Sequence, residues 1–216
     1  MARYIIQFRF SGYAKKYLKR TIFEVARKFR VRVAVKQKVV PHITMFGPFT
    51  TINESKVVAT LLAVSKNYHL IPFTLRGFGT FDKRVIFADV IPSEELKRFR
   101  NELSDQLTDL RDFFLIKTVK TEGISDHEEH YPFHATIAFK DIGNKCDGIM
   151  EYLKKKKTPH INQILLRVTL LKKENGSKHA RILYEYDFLR KRLLTRREAL
   201  NKNIWRSTAR LLKHES

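Results

Sequence analysis

Two short segments constrain this chain more than anything else in it. Pro41-His42-Ile43-Thr44-Met45-Phe46 and Pro132-Phe133-His134-Ala135-Thr136-Ile137-Ala138-Phe139 both show apolar residues at a period of two, carry β-branched or aromatic side chains, and read as strands. Successive side chains of a strand point to opposite faces, so His42 shares a face with Thr44, and His134 with Thr136. Each pair sets an imidazole beside a hydroxyl on a surface otherwise suited to burial. The pairs lie 92 positions apart (134 minus 42). His-x-Thr alone is a short pattern that chance produces, and one histidine on an apolar strand reads as a core residue. The residues downstream of each copy change that reading. After His42 come a helical run at 53–67, a strand opening at Ile71-Pro72-Phe73 and a strand at 84–89. After His134 come a helical run at 145–157, a strand opening at Pro159-His160-Ile161 and a strand at 180–185. The chain is therefore expected to contain an internal repeat of about 90 residues, each half reading strand, helix, strand, strand.

The remaining segments fit around this repeat. Residues 4–10 alternate as a strand. Residues 13–29 read as an amphipathic helix with Tyr17, Ile22, Val25, Ala26 and Phe29 inward and a basic opposite face. Residues 31–35 read as a short strand, and Gly47-Pro48 is expected to end the first motif strand. Ser93 starts a helix to about Leu110, with acids in its first turn and Leu96, Phe99, Leu103 and Leu107 on one stripe. Residues 113–119 read as a strand and 121–131 as a loop, and Asn175-Gly176 joins a hairpin of 165–171 with 180–187. Beyond Asp187 the character changes. Residues 189–213 read as a helical tail with Leu193, Leu200, Ile204 and Leu211 along it, and from Arg190 to Lys213 there are nine Lys/Arg and one acid, Glu198. No Gly-, Pro- or Ser-rich linker divides the chain. The expected organisation is a two-lobed unit over 1–188 and a basic amphipathic helix over 189–216.

Charge narrows the partner. With 43 basic and 22 acidic residues the net charge is +21, a field that attracts polyanions, of which nucleic acid is the usual one. The single cysteine, Cys146, forbids a disulfide framework and points to a reducing, cytoplasmic setting. No apolar run approaches the roughly 18–20 residues of a membrane span, and the chain enters a strand directly after Met1, so no signal peptide is expected. His127-Glu128-Glu129-His130 lacks the spacing of a helical zinc site, and no metal is expected there. Gly77-Phe78-Gly79 lacks the pattern of a phosphate-binding glycine loop.

If the two motif strands meet across a cleft, two imidazoles enter one volume. Histidine titrates near neutrality, so one ring can act as base and the other as acid. The threonine hydroxyls can donate to phosphate oxygens. Such a site suits displacement at phosphorus without metal or cofactor. At this point the sequence resembles a known family, the two-histidine (2H) phosphoesterase superfamily, which includes 2′–5′ RNA ligase-like proteins and RNA cyclic phosphodiesterases. Its signature is one His-x-(Thr/Ser) motif per lobe. The residues from Pro41 through Gly47-Pro48, and from Pro132 to Ala138, carry the resemblance, which extends over roughly 1–188.

The resemblance implies an α+β, bilobal, pseudo-symmetric fold: two antiparallel sheets around a central cleft, with helices outside. It implies that His42 and His134 are the acid/base pair and that Thr44 and Thr136 hold phosphate. In the family the second histidine is commonly taken to activate water and the first to protonate the leaving oxygen; the residues themselves leave those roles open. The implied activity is hydrolysis of RNA 2′,3′-cyclic phosphate ends, together with reversible 2′–5′ RNA joining. A non-catalytic RNA-end-binding module, and an esterase of small cyclic nucleotides or 2′–5′ oligoadenylate, are the alternatives. Phe46, Tyr131 and Phe133 are candidates to stack on a base, with core packing as the competing role. Lys38 and Lys140, and beyond them Lys36, Arg76 and Arg84, are candidate phosphate contacts. The expected partner is a single-stranded RNA end, met by a monomer.

Overall fold

The computed structural model describes residues 2–110, 132–156 and 158–215. The strand expected at 113–119, the loop at 121–131, its Tyr131 and the His/Glu cluster at 127–130 lie outside the described residues. In chain order the elements are β1 (Ala2–Arg9), α1 (Gly12–Phe29), α2 (Val33–Lys36), β2 (His42–Thr51), α3 (Glu54–Lys66), β3 (Ile71–Phe81), β4 (Val85–Pro92) and α4 (Glu94–Thr108). Then come β5 (His134–Phe139), α5 (Cys146–Lys155), β6 (His160–Leu165), β7 (Arg167–Lys173), β8 (Arg181–Asp187), β9 (Arg192–Thr195), α6 (Arg196–Ala199) and α7 (Lys202–Glu215).

These elements form two antiparallel sheets, one in the order β2-β1-β7-β8-β9 and the other β5-β4-β3-β6. The fold is α+β with helices packed on the sheets, as the sequence led one to expect. The internal repeat is present with a different phase. β1-α1-β2-α3 is matched by β4-α4-β5-α5, so β4 opens the second half and does not close the first. After its helix each half sends a strand into the opposite sheet: β3 pairs with β4, and β7 pairs with β1. The lobes are thereby tied to each other by backbone hydrogen bonds. Their cores also join: Phe73 of β3 packs edge-on against Phe8 and Phe10 of the β1 segment, at 5.2 and 6.0 Å between ring centroids.

Three local expectations are corrected. The first motif strand does not stop at Gly47-Pro48; it runs on to Thr51, with the register against β1 slipping between Tyr4 and Ile6. Gly47 takes φ +92°, a conformation that a side chain would strain, and this lets the strand bulge and continue. Residues 31–35 do not form a strand. Val33–Lys36 is one helical turn, because Asp141 accepts from the backbone N–H of Arg32 (2.5 Å) and of Val33 (3.1 Å). That N-terminal cap comes from more than a hundred residues away. The tail is not one helix. Its first part is β9, an added edge strand on β8, and Thr195 then opens α6 with a capping box to Glu198. Among the described residues no helix is long and apolar enough to cross a membrane.

Candidate active site

Register places the two motifs in equivalent positions. In the first sheet His42 stands opposite Arg9 and Thr44 opposite Gln7. In the second His134 stands opposite Asp89 and Thr136 opposite Phe87. The intervening Ile43, Met45, Ala135 and Ile137 are buried in the core, whereas His42, Thr44, His134 and Thr136 are half-buried on the opposite face. Alternation thus lifts the four polar side chains out of the core.

Each imidazole is tethered in the same way. His42 Nδ1 lies 2.8 Å from the carbonyl oxygen of Val40, and His134 Nδ1 lies 2.9 Å from that of Pro132. A carbonyl can only accept, so in each ring Nδ1 carries the proton and donates it. The neutral ring then keeps its lone pair on Nε2, the nitrogen that takes up or delivers a proton. The tether also fixes the ring plane. Two residues before each histidine, the backbone supplies the acceptor that in other sites comes from a carboxylate.

β2 lies against β5, and the electrostatics couple the rings. Burial pushes the His42 pKa down first, and the Arg9 cation adds to this, while the Val40 carbonyl opposes it. Burial also lowers His134, helped by His42 and Arg100; the Pro132 carbonyl and Asp89 work the other way. The influence of His42 on His134 is that of one like-charging group near another.

The surroundings of His134 are aromatic. Phe81 meets its ring edge-on at 4.9 Å and Phe87 is 5.3 Å away, the two phenylalanines stacking on each other at 4.2 Å. Gly79 makes this packing possible: a Cβ there would lie 2.5 Å from Cζ of Phe87. These residues, with Arg9, Gln7 and Asp89, were not singled out from sequence. The signal was the strand before each motif, where Arg9 and Asp89 both stand a few residues ahead of a helix start.

The proposed substrate contacts fare unequally. Phe46 and Phe133 are 3% and 4% exposed. Phe46 packs edge-on with Phe49, and Phe133 lies under the Arg100 guanidinium at 3.7 Å. Neither ring presents a face to a base; both belong to the core, Phe46 because the register against β1 slips between Thr44 and Phe46 and turns it inward, and Phe133 from just before β5. Lys38 and Lys140 are exposed, each at positive φ in the turn next to a motif strand. Lys36, Arg76 and Arg84 are exposed as well.

The 2′-5′ RNA ligase superfamily model matches residues 20–177. Among solved structures, a Thermus thermophilus protein, TT0787, superposes with a TM-score of 0.62 at 17% identity, covering 86% of this chain and 97% of its own. E. coli LigT complexed with 3′-AMP gives a TM-score of 0.50 at 15% identity, with 86% and 97% covered. The same protein complexed with ATP gives 0.51 at 14%, with 86% and 96% covered. These likenesses are of fold. No curated protein matches the sequence.

Proposed function

The chain belongs to the 2′-5′ RNA ligase superfamily of phosphoesterases and ligases, and we propose that it is a metal-independent phosphodiesterase that opens RNA 2′,3′-cyclic phosphate ends. The observation that carries this reading is the duplicated tether: two half-buried imidazoles, each holding its Nδ1 proton on a backbone carbonyl. Both rings so held offer Nε2 to one site. One Nε2 takes a proton from water as the water oxygen attacks phosphorus. The bond from phosphorus to one ribose oxygen breaks, and the other ring, entering protonated, delivers its proton to that oxygen. The pair finishes with its proton on the opposite ring and returns by exchange with solvent. Thr44 and Thr136 donate to the non-bridging oxygens, where charge develops. With a 5′-hydroxyl in place of water as nucleophile on the cyclic phosphate, the same transfers in the same direction break the bond from phosphorus to the 3′ oxygen and form a 2′–5′ linkage.

The test is end-group analysis of a short RNA with a 2′,3′-cyclic phosphate, incubated with chelator present. One phosphomonoester isomer should accumulate, and His42→Ala and His134→Ala should each lower kcat by roughly 10²–10⁴-fold, the usual contribution of positioned acid–base groups. Salt-sensitive RNA binding without turnover, unchanged by both substitutions, would instead mark a binding module.

A further inference from the structure

A groove of about 770 Å³ opens over strands of the second sheet, lined among others by Tyr13, Thr74, Ile91, Asn162 and Leu212. Register ties it to the reacting face. Ile91 is two residues along β4 from Asp89, the partner of His134, a step of about 7 Å on the same face. Thr74 stands opposite Ile91, and Asn162 opposite Thr74. From the other lobe, Ser11 and Tyr13 come just after Arg9, the partner of His42. The groove is therefore the continuation of the motif face of the second sheet, bounded by the chain segments that leave both histidine partners.

Its far wall comes from the tail. Thr44, Gln7, Thr169 and Glu185 form one row of directly paired residues across the first sheet. Arg167, two residues before Thr169, shares that face. Its guanidinium donates to Thr208 of α7 at 2.6 Å and lies 4.1 Å from the Trp205 ring. So α7 is seated on the face that bears His42 and Thr44, and Leu212 on its later turns reaches the groove. α7 lies beyond residue 177, where the family match ends.

We propose that this groove binds the nucleotide on the 5′ side of the one that bears the reacting phosphate, so that the tail makes the protein an enzyme of single-stranded oligoribonucleotide ends and not of mononucleotides. The proposal rests on the cyclic phosphodiesterase reading for the position of the phosphate. The chemistry fits a nucleoside. Tyr13 is 70% exposed and offers a ring for stacking. The Thr74 hydroxyl and the Asn162 amide, joined at 3.0 Å, present polar groups to a base edge. Ile91 and Leu212 cover the apolar faces. The volume falls within the roughly 300–1,000 Å³ of ligand clefts. Lys15 lies near Lys19 and Arg9: burial lowers its pKa first and these two cations lower it further, a basic cluster that suits a phosphodiester backbone.

The experiment compares affinities of the full chain, without turnover, for a labelled oligoribonucleotide of about eight residues ending in 3′-phosphate and for a nucleoside 3′-monophosphate competitor. Tyr13→Ala and Leu212→Glu are the variants. Tyr13 is too exposed to support the fold, so it keeps the test decisive if Leu212→Glu unfolds. In each folded variant the ratio of oligonucleotide to mononucleotide affinity should fall about tenfold, the loss of one stacked base. A ratio unchanged within about twofold in both variants, or a wild-type protein that binds neither probe, overturns the proposal. Loss of the ratio in a protein that leaves cyclic ends intact upholds the groove and overturns only the hydrolase reading.

Discussion

Asp89 and Arg9 make the two histidines unequal. Both imidazoles lie below the ordinary histidine value near 6.5 because they are buried. A base must be neutral and an acid protonated, so kcat/KM should rise with pH through the lower pKa of the coupled pair and fall through the higher. With both depressed, the falling limb belongs below about pH 6.5, and activity should already decline through neutrality. Asp89 favours the proton on His134, so Asp89→Asn should move the profile further toward acid. Arg9 repels the proton from His42, so Arg9→Met should move it toward alkali. A kcat/KM profile that moves in neither variant refutes the role of these cross-strand charges. Gly79 acts through packing. Gly79→Ala pushes a methyl into Phe87, an overpacking cost of about 1–3 kcal/mol, measurable by urea unfolding. Phe87→Leu in the same chain should recover most of it, because the methyl then has room.

At the scale of elements, legibility depended on how local the determinants were. The motif strands, α1, α3, α4 and the β7–β8 hairpin carry their own period, with the Ser93 cap on α4 and the Asn175-Gly176 turn in the hairpin, and sequence reading found them. α2 was missed because its cap, Asp141, comes from the other end of the chain. β9 was missed because basic residues and leucines at helical spacing look alike whether the segment pairs with a strand edge or not. The hardest feature to foresee was Arg167. On a strand with Val168 and Leu170 it alternates as though bound for solvent, yet it is 2% exposed. It donates to Glu185 at 3.0 Å and Asp187 at 3.1 Å beneath α7. Arg190 also reaches Asp187, at 2.8 Å. Arg167→Ala leaves buried Glu185 without a cation and Asp187 with Arg190 alone, and should cost about 3–5 kcal/mol. Thr208→Val, which removes a single hydroxyl from the network, should cost about 1–3 kcal/mol. Equilibrium urea unfolding orders the two, and no measurable cost for Thr208→Val would mean that α7 is held by its apolar contacts alone.

Over the whole molecule, the exchange of β3 and β7 between halves explains why one chain, and not two separable lobes, forms the site: each motif sheet is completed by a strand from the other repeat. The motif pair was readable without this exchange; the groove was not, since it depends on β3, β6, α1 and α7 meeting. The net charge of +21 then decides between a long and a short ligand. An oligonucleotide that engages about five phosphates should bind with a slope of log K against log salt near −3.5. Raising salt from about 50 to 200 mM would weaken it roughly a hundredfold. A nucleotide offering one phosphate should lose only about threefold over the same range. Titrating both ligands against the unmodified protein separates the cases. A shallow slope for the oligonucleotide would mean that the basic surface is solvated and does not track the chain, and the substrate would then be a small cyclic nucleotide held by the two histidines and threonines alone.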